Sequence, residues 1–541
     1  MTNSAAHPSA QNTDSVIQKL DALMDKANRG FELRDSAPTP EILTDLHEFS
    51  AVNRADEVYG LLVRRDSAVL AGSLSRTVLE SALSSKWMGS PSGSAAALES
   101  TLASDRESLH EFISKSDLSV PNIDRWCNPI PTDRLASAHA GPGLPNFQID
   151  LARRVPVTVE AVTELPAPVA NLLGMCGHLN YASTWTSVSR ESGNIGATAT
   201  APMAALFAQV AGTAVASVRG LDSDSTVTDL IDACQVDHKL DISGLTTPRK
   251  SVENLVARPP ATNSPYSDAG RPTRLVNSLL REATASAQPL VDLYTCAPSL
   301  AEIESREINL TSALPFYTTL ELLRVVVNSL RDGSSPYLLV SASRLLFEHG
   351  ARIAWQTHRL SVEEIENRYI AVMDDATYRK KSMIDQLTNR GVAPEISERL
   401  FYPLGRGDYA VDNMRTPNGT KRPSLASPAE QLRALDIGFA EPGWVELAYK
   451  LLSNGVHATP LGMLHTIGGY YDGTPASDWL SPEMTALALD TACLGAALAM
   501  YGIVPILQHQ HGLSDQAEWT RELIGLSKRV HNACLPIHFL G

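Results

Sequence analysis

Residues 341–355, S-A-S-R-L-L-F-E-H-G-A-R-I-A-W, decide the fold because a second version of this stretch lies earlier in the chain. Residues 73–87 read S-L-S-R-T-V-L-E-S-A-L-S-S-K-W and match the later stretch at a constant offset of 268 residues. A match of this kind predicts an internally duplicated unit. The shared positions are Ser73, Ser75, Arg76, Glu80 and Trp87 in the first version and Ser341, Ser343, Arg344, Glu348 and Trp355 in the second.

Two further blocks recur in the same order. The pattern L-L-x4-H occupies residues 172–178 and again 451–457, and an apolar segment follows both Pro202 and Pro482. Each repeat is therefore predicted to contain a helix with R-x3-E, a variable insert, a helix with L-L-x4-H and a late apolar helix. An inter-repeat linker is expected near residues 240–274, where R-P-P-A-T-N-S-P is typical of a connecting segment.

Helix starts are frequent in this sequence, and alternating strand patterns are nearly absent. A Ser or Thr directly before Pro provides an N-cap oxygen followed by a residue preset for the first helical turn, as at Ser335-Pro336 and Thr459-Pro460. The predicted fold is all-α, with two related helical bundles arranged as an internal pseudo-twofold pair. Its parts are a flexible leader (1–38), a first repeat with a degenerate motif (39–239), a linker and connecting helix (240–299) and a second repeat with a C-terminal capping helix (300–541).

Composition places the chain among globular proteins. Its 541 residues are 43% hydrophobic and 19% charged, which is sufficient for a large core. The formal net charge of -15 opposes a broad surface for nucleic acid or anionic membrane, although a local basic patch remains compatible with it. Two apolar segments, 202–218 and 484–507, are predicted to be buried core helices rather than membrane spans.

Cysteine spacing and the N-terminus favour a cytoplasmic protein. The six cysteines are far apart and never in C-x2-C spacing, so neither a zinc knuckle nor a disulfide framework is predicted. The first fifteen residues lack the basic and apolar regions of a signal peptide. No membrane association is expected.

The candidate site starts from Arg344 and Glu348, which lie one turn apart on a helix with apolar neighbours. Such residues require hydrogen-bonded partners if they are buried, and His457 is the candidate third member. The same trio in the first repeat is Arg76, Glu80 and His178. Two interpretations remain open: an internal polar clamp between helices, or a histidine acid–base group beside an arginine that stabilises an anion.

The two repeats differ in their hydroxyl groups. In the second repeat Tyr449, Ser453 and His457 follow at four-residue spacing on one helical face, whereas the first has Ala170 and Gly174 before its histidine. The second repeat is therefore the predicted catalytic copy. Trp355, on the R-x3-E helix, and Asp490, inside the late apolar helix, are predicted to support it, with Asp490 contacting Arg344 or His457.

The combination of R-x3-E on an early helix with Y-x3-S-x3-H on a later one resembles a family of bacterial all-helical domains of unknown function. It also resembles, more loosely, the HEPN helical bundles of toxins and phage-defence proteins. This resemblance implies a metal-independent ribonuclease or nucleotide-processing enzyme that uses His457 and Arg344. HEPN ribonucleases typically carry an arginine a few residues before the histidine on the same helix, where this chain has Lys450 in the second repeat and Asn171 in the first.

No cofactor and no metal are predicted. The sequence lacks a Gly-rich phosphate loop, a G-x-S-x-G elbow and an H-E-x2-H motif. Asp374-Asp375 fits an ordinary charged helix face, and the C-terminal histidines fit a capping helix better than a metal site; these are His509, His511, His531 and His538. The predicted partner is RNA or a nucleotide for an enzyme, or another protein for a non-catalytic interaction module.

Overall fold

The computed structural model describes residues 17–27, 40–116, 201–221, 336–389, 442–467 and 482–511, apart from short gaps within them, and scattered positions between these ranges. Helices contain 93% of these residues, and none of them forms a β-strand. The prediction of an all-α fold is confirmed.

The helices of the described part follow one another without any intervening sheet. In chain order they are α1 (Pro40–Val63), α2 (Ala68–Met88), α3 (Ala95–Lys115), α4 (Ala201–Arg219), α5 (Pro336–Thr357), α6 (Val362–Asn389), α7 (Pro442–Val456), α8 (Pro460–Ile467) and α9 (Pro482–His511).

Several of these helices begin where the local sequence predicts. Helices α5, α8 and α9 each start at a proline preceded by Ser or Thr. At α8 the Thr459 hydroxyl accepts a hydrogen bond from the backbone N–H of Gly462 at 3.1 Å. Before α6, Ser361 and Glu364 form a capping box, in which each side chain accepts a hydrogen bond from the backbone N–H of the other residue, at 3.3 and 2.9 Å.

The two R-x3-E helices occupy comparable places in the packing. In the first half α2 packs between α1 and the apolar helix α4, and in the second half α5 packs against the apolar helix α9 and against α7. Helices α2 and α5 also touch each other, and buried residues of both halves belong to one continuous hydrophobic cluster. The halves therefore share a core. The duplication itself stays a prediction, supported by this repeated packing of helices.

The two apolar segments are core helices, as the sequence predicts. Met203, Phe207 and Val210 of α4 and Leu487 and Ala492 of α9 are completely buried. Among the described helices, none has the length and apolar character needed to cross a bilayer.

The predicted flexible leader needs one correction. Residues 17–24 are helical, and Leu20 and Met24 are buried in the common core. Their spacing of four residues places both on one face of a helix, which explains how so short a segment docks. The predicted linker and connecting helix (240–299) lie outside the described residues.

Helices α5 and α9 approach unusually closely because small residues line their contact. A Cβ atom on Gly350 would lie 2.0 Å from the carbonyl oxygen of Gly495, and one on Gly502 would lie 2.7 Å from the backbone of Ile353 and Ala354. The Thr357 hydroxyl then donates to the carbonyl oxygen of Gly502 at 2.6 Å. Only glycine fits at these positions without separating the two backbones.

We expect Gly350→Ala to destabilise the protein by roughly 1–3 kcal/mol or more, because the added methyl group meets backbone rather than a movable side chain. The matched control is Gly212→Ala in α4, where the new Cβ would meet only leucine methyl groups at 3.5 and 3.7 Å. Because alanine favours helix over glycine, this control should be neutral or stabilising. Urea unfolding measures both changes, and equal stabilities for the two variants would contradict the close approach.

Candidate functional site

Both R-x3-E motifs form buried ion pairs within their own helices. The Arg76 Nε atom donates to Glu80 Oε1 at 2.8 Å on α2, and Arg344 Nη2 lies 3.2 Å from Glu348 Oε2 on α5. All four side chains are at most 4% exposed. Residues four apart in a helix are neighbours on one face, so each pair follows directly from the sequence spacing.

Helix α7 presents hydroxyl groups to the arginine of α5. Arg344 donates from Nε to Ser453 Oγ at 3.1 Å and from Nη2 to Tyr449 Oη at 3.2 Å. The guanidinium carbon also lies 5.4 Å from the centre of the Tyr449 ring. The structure therefore joins four of the predicted catalytic residues of the second repeat, namely Arg344, Glu348, Tyr449 and Ser453.

His457 pairs with the opposite half of the molecule. Its Nδ1 atom lies 3.5 Å from Glu80 Oε2, and Glu80 belongs to α2 of the first half. The predicted trios do not include this contact between the halves, which lies where α2 and α5 touch, and the charge of Arg344 also acts on His457. His178, the predicted histidine of the first repeat, lies outside the described residues.

The result is one polar site made by both halves, which we call the composite cluster. Helices α2 and α5 contribute its charged pairs, and α7 contributes one face whose side chains are less completely buried than those pairs. Its members are Arg76, Glu80, Arg344, Glu348, Tyr449, Ser453 and His457.

Two arginines that sequence reasoning missed border the composite cluster. Arg352 Nη2 lies 3.9 Å from Glu348 Oε1, one further turn along α5. Arg54 of α1 is 1% exposed and donates to the carbonyl oxygens at the end of α7. The repeat pattern gives no signal for either residue, because the first repeat has Ser84 at the position matching Arg352 and the second has Leu322 at the position matching Arg54.

The electrostatics keep Glu80 ionised and His457 neutral near pH 7. Burial alone would raise the pKa of Glu80, but the charge of Arg76 and the hydrogen bond from His457 outweigh it and lower the pKa to about 2. For His457, burial followed by the charge of Arg76 lowers the pKa to about 4, although Glu80 acts in the opposite direction. At neutral pH the imidazole is therefore uncharged and able to accept a proton, and its lowered pKa makes it a weaker base than an ordinary histidine.

Arg344 stays charged despite its complete burial. Burial opposes its charge, but Tyr449 and Glu348 outweigh burial, and the pKa of Arg344 is raised. Burial also raises the pKa of Glu348, against the effect of Arg344 and Arg352. The pKa of Tyr449 is raised by burial and by the nearby Glu348 carboxylate, so its hydroxyl keeps its proton at neutral pH.

The two predicted supporting residues, Trp355 and Asp490, contact other parts of the protein. Trp355 is buried beneath Arg368 of α6, whose guanidinium carbon is 4.6 Å from the ring centre and which also donates to the Trp355 carbonyl oxygen. Asp490 pairs with His531 Nδ1 at 2.8 Å and accepts from Trp444 Nε1 at 3.4 Å. Neither of these two contacts is with Arg344 or His457, the predicted partners. Asp490 lies on α9, which packs against α5.

Metal-ligand clusters are absent from the part of the chain that the structure describes, where no three His, Cys, Asp or Glu side chains converge. Asp375 instead pairs with Arg379 one turn further along α6, at 3.0 Å. The side chains of His509, His511 and His538 lie outside the described residues.

Comparison of the chain with protein-family models, curated proteins and solved structures finds no match. The composite cluster therefore has to be interpreted from its own geometry.

We expect His457→Gln to make the protein's stability less sensitive to acid. Between about pH 6.5 and 4 the unfolded chain binds a proton at His457 whereas the folded protein does not, so the free energy of unfolding decreases as the pH falls. Removing this group should reduce that slope by up to about 1.4 kcal/mol per pH unit. Urea unfolding at several pH values between 7 and 4 measures the slope.

The control for this measurement is His110→Gln, at an exposed position of α3. It should leave the slope as in the wild type. A slope unchanged in His457→Gln would contradict the burial of a neutral imidazole at this site.

Proposed function

We propose that the composite cluster is a HEPN-like site that acts on RNA or a nucleotide by histidine and arginine acid–base chemistry. The observation that carries the proposal is the pairing of His457 with Glu80 beside Arg344. The proposed context, as for the toxins and defence proteins that the motifs resemble, is a bacterial stress or phage-defence protein of the cytoplasm.

In this proposal, one nitrogen of His457 has the proton-transfer role. The ionised Glu80 carboxylate can only accept a hydrogen bond, so the neutral imidazole carries its hydrogen on Nδ1 and donates it to Glu80. The other ring nitrogen, Nε2, then has the free lone pair. In RNA cleavage Nε2 accepts the proton of a ribose 2′-hydroxyl, whose oxygen attacks the adjacent phosphorus. The bond from phosphorus to the 5′ oxygen breaks, and that oxygen takes the proton back from the imidazolium, leaving a 2′,3′-cyclic phosphate.

The charge around the composite cluster supports a phosphate-bearing substrate. Among the described residues, four guanidinium groups lie in or beside the composite cluster together with two carboxylates, and a third carboxylate, that of Asp375, also acts on Arg352. Positive charge therefore still exceeds negative charge locally, in a protein whose net charge is -15. An anion compensates such an excess, and arginine is well suited to phosphate. The guanidinium groups belong to Arg54, Arg76, Arg344 and Arg352, and the two carboxylates of the cluster to Glu80 and Glu348.

The position of Arg344 also bears on the resemblance to HEPN ribonucleases. Those enzymes place arginine and histidine on the same helix, whereas here Arg344 reaches from α5 to the face of α7 that carries His457. The two functional groups are then neighbours in space without being neighbours in sequence. This through-space arrangement supports carrying the chemistry over in spite of the missing arginine on α7.

A second function, that of a non-catalytic helical interaction module, is favoured by a different observation. Arg344 and Glu348 are fully buried, and the hydrogen bonds described for Arg344 go to hydroxyl groups of the protein itself. A buried ion cluster that satisfies itself holds helices in register without any substrate. In that case the composite cluster would be structural, and the function would lie on the surface.

Two conservative variants separate these functions. If the cluster is catalytic, His457→Gln and Arg344→Lys should each lower cleavage of a labelled RNA, or hydrolysis of a nucleotide, by about a hundredfold or more. The matched controls are His110→Gln and Arg379→Lys, both at largely exposed positions. Growth arrest on expression in bacteria gives a second readout for all four variants.

The melting temperature of each variant decides the interpretation. Loss of activity and of growth arrest with the melting temperature within a few degrees of wild type supports catalysis. A wild-type protein inactive on RNA and nucleotides, together with strong destabilisation by both cluster variants, would instead support the interaction module.

A further inference from the structure

The short connection that carries His457 is itself tightly held. We call residues 455–457 and 459–461, at the end of α7 and the start of α8, the His457 turn. The His457 N–H donates to the carbonyl oxygen of Ser453 at 2.8 Å, and the Thr459 N–H donates to that of Asn454 at 3.2 Å. A Cβ atom on Gly462 would lie 2.0 Å from the Asn454 carbonyl oxygen, so α8 folds back directly onto the end of α7.

Arg54 holds the near side of this turn from the other half of the molecule. It donates from Nη2 to the Gly455 carbonyl oxygen at 2.7 Å and from Nη1 to the Val456 carbonyl oxygen at 3.3 Å. These are the two carbonyl groups directly before His457. The end of a helix leaves such carbonyl groups unpaired and carries partial negative charge, so a guanidinium fork with two donors suits this position.

Asp105 of α3 holds the far side. Burial raises the pKa of its carboxyl group to about 6, and the nearby Thr459 side chain and the backbone N–H of Leu461, at the start of α8, act in the opposite direction. A carboxylate is the complementary charge for a helix N-terminus. A cation and an anion, both from the first half, therefore clamp the two ends of the His457 turn, while Glu80 contacts the imidazole itself.

We propose that Arg54 is a positioning residue for His457, fixing the imidazole against Glu80 through the backbone of the His457 turn. This role rests on the proposed acid–base function. The first half of the chain then has a defined task in the reaction, although its own motif is degenerate. Lysine at position 54 cannot take the role over, because a single ammonium group lacks the fixed pair of donors that spans two successive carbonyl oxygens.

The test uses Arg54→Lys, which keeps the positive charge and removes the fork. We expect RNA or nucleotide turnover to fall about tenfold or more, because a small displacement of an acid–base group is costly. We also expect the pKa of the His457 imidazole to rise from about 4 towards its ordinary value, as the loosened turn admits water. NMR of protein with carbon-13-labelled histidine measures that pKa, with the His457→Gln spectrum identifying the signal.

The matched control is Arg219→Lys, at a partly exposed arginine of α4 that pairs with Glu48 of α1 at 2.5 Å. It should change neither turnover nor the pKa of His457. Arg54→Met, which removes the charge as well as the fork, is the second variant. If Arg54→Met does not fold, the result for Arg54→Lys alone decides whether Arg54 positions His457.

The outcomes separate this inference from the proposed function. An unchanged His457 pKa in folded Arg54→Lys and Arg54→Met would overturn the positioning role. If the wild-type protein has no turnover, the proposed acid–base function is contradicted. A raised His457 pKa in Arg54→Lys would even then support the role of Arg54 in positioning the imidazole. Lower turnover together with a risen pKa in Arg54→Lys, but not in Arg219→Lys, supports both.

Discussion

The structure depends on one constraint: charges buried in an apolar helical core have to find partners there. Arg76 with Glu80 and Arg344 with Glu348 meet part of this requirement within single helices. The remainder is met between the halves, because His457 of the second half pairs with Glu80 of the first. The position of α7 relative to α2 is therefore defined by the need to satisfy buried polar groups as well as by apolar packing. This explains why polar residues of the two halves converge on one site.

Sequence reasoning reached the parts of this arrangement that depend on local spacing. Residues four apart on a helix share a face, which is enough to predict both ion pairs and the alignment of Tyr449, Ser453 and His457. Proline, serine and threonine at helix starts likewise predict where α5, α8 and α9 begin. The hydrogen bonds from Arg344 to Tyr449 and Ser453 also follow a pattern in the sequence. Both helices carry polar residues among apolar ones, and buried polar residues require hydrogen-bond partners.

What the sequence could not predict depends on which helices touch. Nothing in the spacing of the motifs distinguishes a histidine that pairs within its own repeat from one that pairs across the molecule. Arg54 was missed for a related reason: the groups that accept its hydrogen bonds are backbone carbonyl groups about 400 positions away, and backbone groups carry no sequence signature. Asp490 shows a further limit. A polar residue in an apolar helix needs a partner, and two partners of Asp490 are His531 and Trp444, which belong to neither motif.

The shared site also bears on how the molecule divides. Internal repeats are commonly treated as interchangeable modules, each able to fold and diverge alone. Here a fragment containing only the first half would leave Glu80 without His457, and one containing only the second would leave the carbonyl groups before His457 without Arg54. One apolar cluster also contains buried residues of both halves, so neither fragment would keep that cluster whole. A substitution of Glu80 or Arg54 in the first half therefore removes a specific contact of the second half.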